Sequence, residues 1–199
     1  MKRALAVVAT VAALVGLPAP AHAHLVTTSL GPLYDGVWHL LLSPDDLLPV
    51  LTMASLAGLN GKATGRRTLF VLPVAWAAGG LAGFAARTPL LPGATAALSF
   101  LVLGALTAAD RRLPAAVVTG LAVTLGLLHG WGNGAGIASA GREALGLAGI
   151  VAAVFVLVAL VAAFVVGLRA PWTRLVVRVA GSWIAAIGLL MLGWSFRGA

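Results

Sequence analysis

Apolar runs separated by short clusters of charged, Pro and Gly residues dominate the chain and mark six stretches, near Pro44–Leu59, Thr68–Ala86, Leu90–Ala109, Pro114–Trp131, Ala144–Leu168 and Leu175–Phe196. Stretches of this kind predict membrane-crossing helices, which need about 20 residues each. The predicted fold is an all-α membrane protein, a compact bundle of six transmembrane helices. A shorter apolar run precedes them: Lys2 and Arg3, then the uncharged segment Ala4–Leu17, then Pro18, Pro20 and Ala21-His22-Ala23. That is the order of a secretory signal, with a basic start, an apolar middle and small residues at the cut. The run falls short of a span and ends in prolines, so residues 1–23 are predicted to be removed as a signal peptide. Residues 24–199 then form one transmembrane domain beginning at His24.

Composition agrees with lipid as the solvent. Of 199 residues 61% are apolar and 9% charged, with a mean hydropathy of +1.06, whereas about a quarter of a soluble domain is charged. A net charge of +8 would suggest nucleic acid in a soluble protein, but here the cations follow the loops. Lys62, Arg66, Arg67, Arg111, Arg112, Arg169, Arg174 and Arg178 fall on one side of the predicted bundle, and Arg87, Arg142 and Arg197 on the other. By the positive-inside rule the richer side is cytoplasmic, which puts the mature N-terminus and the C-terminus outside, as the export signal also requires. No nucleic-acid partner is needed; the bilayer is the partner the composition demands. The chain has no Cys, so disulfides, thiolate metal sites and a Cys nucleophile are excluded. No Ser or Thr sits in a nucleophile motif either, and no enzymatic activity is predicted.

Within the spans, Gly79 and Gly83, and the ladder Gly126, Gly130, Gly134, have the small-xxx-small spacing that brings helix backbones together in lipid. The same faces are candidates for an oligomer or a partner subunit. Trp38, Trp131 and Trp194 at outer ends and Trp172 at an inner end suit an aromatic belt.

The ionisable residues of the domain are few enough to place one by one. Asp110 lies beside Arg111 and Arg112 and Glu143 beside Arg142, as loop charges. Asp35, Asp45 and Asp46 share one segment with His39 just before the first full span, where Ser43-Pro44 builds in a helix break. One reading is capping: Ser43 as cap, Pro44 at the first helical position, and the carboxylates in the first turn where the helix dipole favours them. The other is functional, since ionisable groups cost about 2.5–3.5 kcal/mol each at the middle of a membrane helix on insertion scales. His129 lies in the fourth span, about 22 Å from the cytoplasmic start at 1.5 Å per residue. Its depth matches the outward-lying start of the first span, so His39, Asp45, Asp46 and His129 have the depth to converge. Imidazole with carboxylate is a donor set for a borderline divalent cation, and the lack of sulfur disfavours Cu(I). A lone membrane His also serves as an interhelical hydrogen bond, and His39 with His129 as axial ligands of a haem b is a further alternative.

Two short motifs give the chain a resemblance to the HupE/UreJ family of small nickel/cobalt permeases. In the first motif Gly36, His39 and Asp45 match, followed by Leu47 and Leu48, while Asp46 stands where the family has a second His. The second motif reads His129-Gly130-Trp131-Gly132-Asn133-Gly134; its first His matches, Asn133 replaces the second, and Gly136 stands where a Glu often follows. The resemblance implies a bacterial inner-membrane permease that carries a divalent transition-metal ion such as Ni or Co as cargo, with no permanently bound cofactor. Its site would comprise His39, Asp45, Asp46 and His129, with Asn133 as auxiliary ligand. Two imidazoles fewer and one carboxylate more shift the donors toward oxygen, which suits a harder or more weakly held ion. A membrane accessory subunit that does not transport is the alternative function.

Overall fold

The structure, a computed structural model, describes residues 28–88, 90 and 94–196. The predicted signal peptide at 1–23, the domain start at His24 and Arg197 lie outside the described residues. Among the described residues there are seven helices and no strand: α1 Pro32–Leu42, α2 Pro44–Leu59, α3 Lys62–Ala86, α4 Ala94–Ala109, α5 Ala115–Ser139, α6 Leu145–Gly167 and α7 Pro171–Ser195. α3, α5, α6 and the Trp172–Ser195 part of α7 are long and apolar enough to cross a membrane, four where six were predicted; α1 and α2, bent by 75° at the break, pass the same test only when taken together, as a broken span or a re-entrant loop. α4, at 16 residues, is a shorter apolar helix; at 1.5 Å per residue it reaches about 24 Å of the 30 Å hydrocarbon core.

Proline and glycine set the boundaries. Gly31, at φ 97°, turns the chain in a way only glycine adopts readily, and Pro32 follows at the start of α1. Pro44 forces Ser43 into extended backbone (φ −100°, ψ 96°), which ends α1 and starts α2. The apolar segment before Pro44 is thus a helix in its own right, and Asp45 and Asp46 lie at an internal break instead of at the outer end of a first span. α5 likewise runs past Trp131 to Ser139. The Gly-rich stretch that reads as a terminus stays helical because Gly130 and Gly134 are packed against α3, and packing overrides helix propensity.

Glycine lets three helix pairs approach backbone to backbone. A Cβ on Gly79 or Gly83 of α3 would fall on the carbonyls of Leu127 or Trp131 of α5, and one on Gly130 or Gly134 would fall on those of Trp76 or Gly80 of α3. α1 meets α6 in the same way, Gly36 against Gly146 and Gly149 against Leu33, and α4 meets α7 through Gly104, Gly181 and Gly188. The core between these pairs holds Leu40, Met53, Leu56, Leu72, Trp76, Ile150, Val154 and Val158.

Polar contacts show that the basic loops share one end. Asn60 Oδ1, after α2, accepts from the Leu113 N–H ahead of α5 at 2.7 Å. Asp110 is held by Arg174 of α7 at 2.7 and 3.3 Å, so it is a clamp between the α4–α5 loop and α7 and not merely a solvated loop charge. Arg178 Nε donates to the Ala108 carbonyl at 3.0 Å, satisfying one of the last carbonyls of α4. At the opposite end Trp131 Nε1 donates to the Thr88 carbonyl at 2.8 Å, Arg142 Nη1 lies 3.7 Å from Asp35 Oδ2, and Glu143 is exposed. Trp131 is therefore a contact inside the fold, eight residues from the end of α5.

Candidate functional site

The break between α1 and α2 delivers Asp46 into the bundle. Pro44 occupies the first helical position, and Asp45 and Asp46 fall in the first turn of α2. Adjacent residues on a helix do not face the same partner, and the two carboxylates part accordingly: Asp45 is exposed, and Asp46 is 8% exposed. Ser43 stands at the cap position but makes no side-chain capping bond; its hydroxyl lies 3.5 Å from His39 Nδ1 one turn back in α1. Side-chain capping thus fails for Ser43, and Asp46 is engaged elsewhere. Pro49, inside α2, has no N–H to offer the carbonyl four residues earlier, that of Asp45.

Asp46 meets α5. Its Oδ1 lies 2.7 Å from His129 Nδ1, and its Oδ2 accepts from Asn133 Nδ2 at 2.7 Å. His129 and Asn133 are four residues apart, so they stack on one face of α5. Both are buried, at 5% and 8% exposure. Two further side chains hold the pair in place. Trp76 of α3, fully buried, donates its indole N–H to Asn133 Oδ1 at 3.0 Å, and its ring lies 5.6 Å from the His129 imidazole. An indole only donates, so the amide oxygen must face Trp76 and the NH2 must face Asp46. Ser99 of α4 lies 2.9 Å from His129 Nε2 and donates to the Thr95 carbonyl at 2.8 Å. The cluster thus joins α2, α3, α4 and α5, with a hydrogen bond on each oxygen of Asp46, each nitrogen of the imidazole and each end of the Asn133 amide.

Of the five residues singled out in the sequence, Asp46, His129 and Asn133 come together. His39 lies across the break on α1, half-buried beside Ser43, and Asp45 faces outward. Among the described residues no three of His, Cys, Asp and Glu form a group that could hold a metal; the assembled cluster has two such groups and an amide. Trp76 and Ser99 went unnoticed in the sequence. Trp76 had a usable signal: it sits mid-span, where an aromatic belt does not explain a tryptophan. Ser99 had none, being one small hydroxyl in an apolar helix.

Chemically, this is one carboxylate and one imidazole whose two nitrogens are both engaged, Nδ1 by the carboxylate and Nε2 by a hydroxyl.

Fold and site together define, among the described residues, an all-helical protein with helices long and apolar enough to cross a membrane and a buried carboxylate–imidazole–amide cluster at a helix break. The family model described as HupE / UreJ protein matches residues 12–191; the chain belongs to the HupE/UreJ family. No curated protein and no solved structure matches it.

Proposed function

We propose that this chain is an integral-membrane permease for a divalent transition-metal cation of the nickel or cobalt kind. The family, linked to nickel and cobalt transport, supports the class. The single observation that carries the reading is the contact of Asp46 with both His129 and Asn133 across a broken helix. Membrane proteins keep buried ionisable groups at a cost, and such groups mark ion pathways by default.

In this reading Asp46 Oδ1 and His129 Nδ1 are the cation's ligands inside the bundle. His39 and Asp45, on the two sides of the break, complete its coordination as it enters or leaves. Asn133 is a positioning residue: its amide oxygen is already given to Trp76, and its NH2 aims the carboxylate. A set poor in imidazole holds the ion weakly, which is compatible with transport because a permeating ion must also leave. The end carrying Asn60, Asp110 and the basic loops faces the cytoplasm of a bacterial cell, by the positive-inside rule.

The test is accumulation of radioactive Ni2+ and Co2+ in cells expressing inserted wild-type protein, His129→Ala or Asp46→Asn. Both variants are expected to lose at least nine-tenths of the uptake above background. Unchanged uptake at equal membrane levels would reject the assignment.

A further inference from the structure

At the end opposite the basic loops lies a cavity of about 260 Å³ between the start of α1 and the α5–α6 turn. Pro32, Asp35, Gly36, Arg142, Glu143 and Gly146 are among its walls. Its size suits a hydrated ion: six waters at about 30 Å³ each need about 180 Å³, leaving room for the cation. Its charges are two carboxylates and one guanidinium. Asp35 is buried in the first turn of α1, where its Oδ1 accepts from the backbone N–H and hydroxyl of Thr28. Its Oδ2 is left toward Arg142 at 3.7 Å, well beyond the 2.7–2.9 Å of a tight charge-assisted bond. The guanidinium therefore neutralises the carboxylate from a distance, in a position where another cation can replace it.

The cavity also lies on a line to the Asp46 cluster. Asp35, His39 and Ser43 are spaced four residues apart and so lie along one face of α1, about 12 Å from first to last at 1.5 Å per residue. The Ser43 hydroxyl and His39 Nδ1 are in contact at 3.5 Å, and the charges of Asp46, Arg142 and Asp45 all act on His39. Asp46 is one turn beyond Ser43. Asp35, His39, Ser43 and Asp46 thus place polar groups about one turn apart from the cavity toward the cluster.

We propose that this cavity is the entry vestibule of the Asp46–His129 site, a first station where the Asp35 carboxylate takes a hydrated divalent cation in exchange for Arg142 and passes it along the His39–Ser43 face of α1. The inference rests on the permease reading. It assigns Asp35 and Arg142 opposite effects on capture: a recruiting charge acts on the encounter, raising local cation concentration, without altering equilibrium affinity at the inner site.

The experiment measures initial rates of Ni2+ uptake against concentration in cells carrying Asp35→Asn or Arg142→Gln, at low and high ionic strength, with Ni2+ affinity measured on the detergent-purified full chains. Asp35→Asn is expected to raise the apparent KM about fivefold to tenfold, and Arg142→Gln to lower it roughly threefold, at or below the lower end of electrostatic focusing as fits single charges. Maximal rates per inserted molecule and the affinity of the purified protein should stay unchanged, and both KM shifts should shrink as salt screens the charges. A merely structural Asp35–Arg142 pair would make both variants lose maximal rate together, with no opposed KM shifts, and that result overturns the proposal. So does an unchanged KM in either variant. Uptake that survives His129→Ala in the same assay overturns the permease reading instead, so the two failures are distinguishable.

Discussion

The α3–α5 interface and the α1–α2 break use the same helix α5 for opposite purposes. Along one side, Gly126, Gly130 and Gly134 lie against the carbonyls of Leu72, Trp76 and Gly80, and the contact is dry, apolar and without room for one carbon atom. Between these glycines, His129 and Asn133 reach the Asp46 carboxylate at the break. The glycine seam gains its stability from packing, the main source of helix association in lipid. The polar break gains little: membrane hydrogen bonds average about 0.6 kcal/mol by double-mutant cycle, while the ionisable groups cost several times more to bury. One helix thus carries a stability device and a site maintained against stability, and the first fixes the position of the second. Each motif glycine at the seam sets the depth and rotation of the His or Asn beside it.

Five substitutions separate these roles. Gly134→Val places its Cβ on the Gly80 carbonyl; backbone cannot yield as a flexible side chain can, and a loss of about 3 kcal/mol or more is expected, at the upper end of overpacking costs. Its neighbour Gly132 has open space around it, so Gly132→Ala should stay within about 0.5 kcal/mol. Thermal unfolding of the two in detergent checks the seam, and equal losses would break it.

Asp46→Asn is the converse case. It keeps the shape and part of the hydrogen bonding but removes the charge, so uptake should fall more than tenfold while the thermal midpoint moves only a few degrees, as expected for losses of about 1 kcal/mol. Trp76→Phe removes only the indole N–H, leaving Asn133 Oδ1 unpaired in a buried setting. Unsatisfied groups of this kind cost about 1–3 kcal/mol, and a fall in metal affinity is expected alongside, because the amide is then free to turn from Asp46. The smallest effect belongs to the far end. Arg174→Gln breaks a pair whose Arg is about half exposed, so about 0.5 kcal/mol is expected with metal affinity unchanged.

Much of the scaffold was legible in advance. Apolar runs fixed the approximate positions of α2, α3, α4, α5, α6 and α7. The 8-to-3 division of cations anticipated which loops share an end, as the Asn60–Leu113 and Arg174–Asp110 bonds show. The glycine spacings pointed to close contacts but not to partners, because a helix reports its own small face and not whose backbone lies against it. The Ser43-Pro44 break itself was legible, but not whether it caps a first helix or joins two, since Ser43-Pro44-Asp45-Asp46 fits a helix start equally well in either setting. The packing of Gly36 on Gly146 and of Gly149 on Leu33 holds α1 as a separate helix on the far side. Depth alone suggested that Asp46 and His129 could meet, and they do. It did not separate Asp46 from Asp45, which needs the rotation of α2, nor find the Trp76 and Ser99 contacts, which come from two other helices.

The central claim, that Asp46 and His129 are cation ligands and not structural glue, is tested most directly by calorimetric titration of Ni2+ and Co2+ into the detergent-purified protein and into an Asp46→Asn/His129→Ala double variant that elutes as the same folded species. Saturable binding to the wild type with none to the double variant is the predicted result. Equal binding to both, or no binding to a wild type that is folded and inserted, would contradict the claim and leave the cluster as a hydrogen-bonded tie between four helices.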